Sequence, residues 1–276
     1  MTQATGAELS DVEVAISAAE AGAAKVREAY GGVVIRHAKS GNDFATDTDL
    51  AAERVIREVL AVRRPGDGFL GEETGESQGA ASRRWLVDPL CGTLNFAAQT
   101  PLVAVNVALI GERGTLAAAS TDPIAGETFW SDSVAAWVRK DGVDERALPS
   151  VASRLVDVNC DGPLDRSFVG PQLLADPEFR AAFGPRVVSS TLAVAWVAAG
   201  RRAGYVSDGG FVDNVHFAAG IELCRAAGCV VTDLAGGSLG EGRGLLVAAD
   251  DSTHRQLLSI VRPHLVALTA GKGSRR

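Results

Sequence analysis

Four residue types that can do chemistry together fall in one short stretch: Asp88, Cys91, Gly92 and Thr93, within Trp85-Leu86-Val87-Asp88-Pro89-Leu90-Cys91-Gly92-Thr93-Leu94-Asn95-Phe96. The apolar run reads as a buried strand that ends in a carboxylate, turns through Pro89 and re-enters a helix after Gly92. The peptide N–H groups of Gly92 and Thr93 then sit at a helix start, where unpaired donors and the dipole favour an anion such as phosphate. Upstream, the short apolar pair Phe69-Leu70 feeds Gly71-Glu72-Glu73, and one of two adjacent acids on a strand must face inward or into a cleft. Downstream, His216 stands just before Ala218-Ala219-Gly220. A thiol at a helix start is a stronger acid than usual, and a histidine in the first turn of another helix is biased toward neutral imidazole. Cys91 and His216 could therefore act as a nucleophile and its base.

The elements that must position these residues are legible from periodicity and punctuation. Ser10-Asp11-Val12-Glu13 reads as a capping box, opening an Ala-rich helix that stops at Gly31-Gly32. A polar loop from His37 to Thr48 follows, then a helix from Leu50 to Leu60 with Ala51, Val55 and Val59 on its apolar face. Asp47 and Asp49 read equally as solvated cap residues of that helix or as acids brought to the site. Four β-rich segments, 102–110, 116–120, 127–130 and 136–139, suggest an antiparallel meander with Trp130 and Trp137 in its core. A polar seam at 140–153 divides the chain into halves, 1–148 and 149–276, which together form one compact unit. The second half alternates: strand 155–159, helix 173–183, strand 186–188, helix 191–199, strand 203–206, helix 214–227, strands 229–233 and 245–248, helix 251–268. Mixed order of this kind implies layered α/β architecture.

Taken together, these pieces resemble the inositol monophosphatase family. Asp88 to Asn95 is similar to its DPxDGTxN signature, and Gly71-Glu72-Glu73 to its GEE piece. Lys39, Asp43, Thr46 and Asp49 fit its early KxxxDxxTxxD pattern, and Ala218-Ala219-Gly220 with Ala226 to Asp233 its WDxAAG helix and following strand. The resemblance spans roughly residues 10 to 265 and implies a five-layer αβαβα sandwich. It implies a first magnesium on Glu72, Asp88 and the Leu90 carbonyl, with Thr93 and Glu72 orienting the attacking water. Ser190, in a Ser189-Ser190 turn, would join Gly92 and Thr93 at the phosphate, and Asp213 would lie among substrate contacts.

Two departures fall on one metal position: Cys91 and His216 stand where the family has aspartates. A thiol and an imidazole are poor donors for a hard, oxygen-seeking ion. Three readings follow. The scaffold is reused for non-hydrolytic chemistry (cyclisation, isomerisation or elimination) by a Cys91/His216 pair. Alternatively it remains a phosphomonoesterase on a sugar or inositol phosphate, with zinc or manganese at Cys91/His216. Finally, the chain is an inert binding homologue that holds no metal.

Composition narrows the partners. A 276-residue chain with 46% apolar residues can bury a full core. Net charge of −7, with only scattered arginine pairs, argues against nucleic acid. No run of about 20 apolar residues is present to span a membrane. The expectation is a cytoplasmic enzyme of a small polar or phosphorylated metabolite, a homodimer like others of the family. His37, His254 and His264 read as surface histidines, and Cys224 and Cys229 as inert thiols.

Overall fold

The computed structural model describes residues 9–39, 44–162, 166–211, 214–240 and 243–270; the candidates Asp43 and Asp213 lie outside these. The Ser10 hydroxyl accepts the Glu13 N–H at 3.2 Å and starts helix α1 (Asp11–Ala29). A hairpin of β1 (Arg36–Ala38) and β2 (Phe44–Thr46) leads into α2 (Asp47–Arg63). Ala51, Val55 and Val59 are only half-buried; the buried face of α2 is Asp49, Ala52, Glu53, Ile56 and Leu60. Two acids on that face are paired with groups at the site, which a hydropathy pattern does not register.

Gly22 of α1 packs tightly against Ile56 of α2. A Cβ there would lie 2.6 Å from Ile56 Cδ1 and 3.1 Å from Val105 Cγ1. Alanine gains roughly 1 kcal/mol of helix propensity but overpacking a core costs roughly 1–3 kcal/mol. Gly22→Ala is therefore expected to lower stability by about 1 kcal/mol, read as a lower urea midpoint at unchanged slope.

The first sheet holds β3 (Gly68–Gly71), β4 (Gly75–Ser77), β5 (Arg84–Cys91), β6 (Ala104–Gly111), β7 (Gly114–Asp122), β8 (Glu127–Ser131), β9 (Ala136–Lys140) and β10 (Val143–Arg146). Their order is β10-β9-β8-β7-β6-β5-β3-β4, a meander from β5 to β10 in which only β3 and β5 are parallel. Rather than ending at Asp88, β5 continues through Pro89 to Cys91, with a bulge between Asp88 and Cys91 that accommodates the missing proline N–H. The short helix α3 (Thr93–Ala97) follows. Trp130 and Trp137 are half-buried, stacked 5.6 Å apart under Arg139 and Arg146, rather than in the core.

The second sheet runs β12-β11-β13-β15-β14, from β11 (Leu155–Val158), β12 (Gly184–Val187), β13 (Gly204–Ser207), β14 (Val230–Thr232) and β15 (Leu245–Ala248). The helix expected over 173–183 is two, α4 (Val169–Ala175) and α5 (Pro177–Ala182). Asp176, extended before Pro177, ends one and caps the other through Phe179 N–H. With α6 (Leu192–Ala198), α7 (Ala218–Ala227) and α8 (Asp251–Ala270), the layers are complete. Helices α1 and α2 cover the first sheet, α6 and α7 fill the space between sheets, and α4, α5 and α8 cover the second. This is the αβαβα sandwich.

Candidate active site

Parallel pairing of β3 with β5 carries Glu72 alongside Asp88, because the Glu72 N–H bonds to the Val87 carbonyl at 3.1 Å just past the strand end. His216 comes from the other side. The helix expected from residue 214 begins only at Ala218, and the preceding turn is held by the Asn214 amide oxygen, which accepts the N–H groups of His216 and Phe217. That turn aims His216 Nδ1 at Asp88 Oδ2, 2.8 Å away, with Glu72 Oε2 at 3.7 Å. One atom from each of Glu72, Asp88 and His216 lies within 4.8 Å of the others, a spacing that a single cation could bridge.

Thr93 stands beside this cluster. Its hydroxyl lies 3.1 Å from Asp49 Oδ1 and 3.2 Å from the Leu90 carbonyl, two acceptors for one proton. Asp49 fulfils both roles that its sequence position allows. Its Oδ2 takes the Thr46 N–H at 2.8 Å and the Thr46 hydroxyl, completing the capping box of α2, while Oδ1 faces Thr93. One turn on, Glu53 is fully buried and accepts the N–H groups of Glu73 and Thr74, both at 2.8 Å, fixing the loop that carries Glu72. Gly71 is required beneath it, since a Cβ there would lie 2.5 Å from the Glu53 carboxylate. Lys39 Nζ bridges Glu72 and Glu73 at 2.8 Å each.

Burial and charge set the protonation of this cluster. Burial, then the Asp88 charge, push Glu72 up to about 8 against the pull of His216 and Lys39. Burial opposes the charging of His216, but Asp88 and Glu72 overcome it and hold the imidazolium up to about 9. Asp49 is raised to about 6 by burial, which its Thr46 and Thr93 hydrogen bonds only partly offset. Burial and the Asp88 charge push the Cys91 thiol up as well. The expectations of an acidified Cys91 and a neutral His216 are thus both reversed. Helix α3 has only five residues, a weak dipole, and burial together with the Asp88 charge outweighs it at Cys91. Nor do the two form a couple: the Cys91 sulfur accepts Thr191 N–H at 3.4 Å, and His216 turns to Asp88.

Glu72 and His216 both bind protons more tightly than an unfolded chain does. The metal-free protein should therefore hold its full contribution from them below about pH 4.5 and lose it as pH rises through about 8 to 9. A cation must displace those protons, so metal uptake should release protons and strengthen toward alkaline pH. Calorimetry in buffers of different ionisation enthalpy checks this; equal heats in all buffers would contradict it.

A cavity of roughly 440 Å³ opens onto the cluster, lined by Glu72, Leu90, Cys91, Gly92, Thr93, Ser190, His216 and Phe217 among others. Ser190 is nearly buried and its hydroxyl also accepts Leu192 N–H at the start of α6. Asp47 is exposed and pairs with His37. Asp208 accepts Val169 N–H and pairs with Arg243, a tie between loops. His37 is exposed as expected, whereas His254 and His264 are half-buried and bonded to Thr232 and Asp176. Glu53 and the bridging role of Lys39 escape the sequence reading; the signal for Glu53 was an acid in register with Ala52, Ile56 and Leu60.

Two carboxylates and an imidazole suit one divalent cation: magnesium with Glu72, Asp88 and the Leu90 carbonyl, or zinc or manganese if His216 joins. A second magnesium does not fit at Cys91, whose soft sulfur is turned to a backbone N–H. Among the described residues, no helix is long and apolar enough to cross a membrane.

Comparison with known proteins places the chain in a family. The sequence model described as "Inositol monophosphatase family" matches residues 8–265. An inositol-1-monophosphatase of Mesorhizobium japonicum is 34% identical over 238 residues, covering 83% of this chain and 86% of that one. The Nus factor SuhB of Escherichia coli K12 is 30% identical over 243 residues, covering 82% and 85%. The crystal structure of the extragenic suppressor protein SuhB from Bartonella henselae superposes with a TM-score of 0.82 at 27% identity, covering 90% and 97%. A Thermotoga maritima IMPase shares the fold, with a TM-score of 0.80 at 20% identity, covering 93% and 98%. By sequence, by layered fold and by the acids gathered at the ends of β3 and β5, the chain belongs to the inositol monophosphatase family, whose members act on phosphorylated small molecules and normally use magnesium.

Proposed function

We propose that this chain is a metal-dependent phosphomonoesterase acting on a small polar phosphorylated metabolite, as a cytoplasmic homodimer without a nucleic-acid partner. The observation that carries the reading is the Thr93 hydroxyl held by Asp49 beside the Glu72, Asp88 and His216 cluster, with Thr93, Glu72 and His216 lining one cavity. A divalent cation bound by that cluster supplies positive charge for the phosphoryl oxygens and the leaving oxygen. The chain's own residues do the rest. Thr93, its proton directed to Asp49, accepts a hydrogen bond from a water aimed at phosphorus. As the new P–O bond forms and the ester P–O bond breaks, the water's proton passes through Thr93 to Asp49, whose raised affinity suits it to accept. The departing alkoxide takes a proton from solvent. Lys39 holds Glu72 in place through the cycle.

The substrate class is a sugar or inositol phosphate, as in the inositol-1-monophosphatases that the chain resembles. Non-hydrolytic chemistry by Cys91 and His216 loses its support, since the thiol is not activated and the imidazole is bound elsewhere. The intact Asp49–Thr93 pair argues against an inert homologue.

The test is phosphate release from a panel of sugar and inositol monophosphates by metal-stripped protein with magnesium, manganese or zinc added, beside the Cys91→Asp/His216→Asp double variant. Turnover by the unaltered chain with a defined metal is expected. Release by the double variant alone would return Cys91 and His216 to the centre of a different reaction.

A further inference from the structure

The cluster offers one cation position where two carboxylates have been exchanged. The second position, expected on Asp88, Cys91 and His216, is not assembled. Asp88 and His216 converge instead with Glu72, and the Cys91 sulfur is absent from that group. A row of buried hydrogen bonds explains where it points. Ser120 Oγ donates to Asn106 Oδ1 at 2.7 Å, Asn106 Nδ2 donates to Thr191 Oγ1 at 2.9 Å, and Thr191 N–H donates to Cys91 Sγ at 3.4 Å. Ser120 and Asn106 are fully buried and Thr191 nearly so, so this row has no water to exchange with. Asn106 is also the register partner of Asp88 across β5 and β6. The row therefore fixes the cation's carboxylate and the displaced thiol from one scaffold.

Charge points the same way. Two carboxylates, Glu72 and Asp88, face the position, and the Lys39 ammonium already sits on Glu72 and Glu73. One dication balances the two facing carboxylates; a second would stand against the first and the lysine, and among the described residues the group at metal spacing holds no third carboxylate.

We propose that the chain takes a single divalent cation between Glu72, Asp88 and His216, and that Cys91 is a plug tied off the ion by Thr191, neither ligand nor nucleophile. The inference rests on the reading of that cluster as a metal site. An imidazole in the donor set moves its preference from magnesium toward zinc, manganese or cobalt.

Cobalt(II) makes this measurable without turnover. Metal-stripped full-length protein is titrated with Co²⁺, following visible ligand-field bands, the near-ultraviolet region of sulfur-to-cobalt charge transfer, and bound metal after gel filtration. One equivalent without a thiolate band is expected, with the same stoichiometry in Cys91→Ser, whose hydroxyl still accepts Thr191 N–H. His216→Ala should bind at least tenfold more weakly and shift the visible bands. Two equivalents, or a thiolate band that disappears in Cys91→Ser, would overturn the inference. Should His216→Ala fail to fold, the stoichiometry and band of the unaltered chain still decide. Phosphate release on the same samples separates the two claims: turnover with two equivalents bound refutes the single-cation site alone, and one equivalent without turnover of any ester refutes the phosphatase reading alone.

Discussion

Asp88→Asn is expected to lower kcat/KM for phosphate ester hydrolysis by about a thousandfold, about 4 kcal/mol of transition-state stabilisation. Asparagine keeps the shape of the side chain and leaves an oxygen to accept the Leu90 N–H, a bond of 3.1 Å in the native site. It removes the negative charge shared between the cation position and His216, at a residue with no exposure to solvent. Two effects compete: loss of a ligand, and loss of stability through a half-buried imidazole left without its Asp88 partner. They separate by melting, because only the second lowers Tm in the metal-free state. A loss below tenfold with the fold intact would remove Asp88 from the site.

Asp49→Asn and Thr93→Ala should each reduce kcat by about a hundredfold to a thousandfold, with KM little changed, since neither group holds the substrate in the ground state. The double variant should lose hardly more than either single one. A hydroxyl and the carboxylate that receives its proton act as one unit, so their effects are not additive. Fully multiplied losses would mean that the 3.1 Å contact between Thr93 and Asp49 is incidental to the reaction. Asparagine can still accept Thr46 N–H at the helix start, which keeps α2 folded while the proton acceptor is lost.

The layered fold was legible because each element carries its own punctuation. Ser10 starts α1, Gly92 turns β5 into α3, and Gly228 ends α7 in the left-handed conformation that glycine adopts freely. The meander from β6 to β9 follows β-rich runs separated by turn residues, β6 and β7 being buried in continuous stretches. Asp88 and Thr93 stood out for the same reason, each beside a strand end or a tight turn, whereas the choice of Glu72 over Glu73 came from the family resemblance. What eluded the sequence were pairings over distance. A separation of 128 residues between Asp88 and His216 hides a 2.8 Å contact, and that contact, rather than helix position, sets the charge of the imidazole. Cys91 was misjudged because a strand bulge and a five-residue helix make a weaker dipole than the motif suggested, while burial, and after it the Asp88 charge, pushes the thiol up. Glu53 was missed because acids on a buried helix face look like errors of amphipathicity until their partners are known.

The donor set itself is divided between the two sheets' territories. Glu72 and Asp88 stand at strands of the first sheet, and His216 precedes the helix packed between the sheets. The Asn95 amide spans the join, donating to the Leu102 carbonyl at 2.9 Å and the Ser189 carbonyl at 2.8 Å. A chain severed in the stretch 148–153 and produced as two polypeptides leaves each piece without a complete centre. Phosphate release, silent in either fragment, then becomes a reporter of their reassembly.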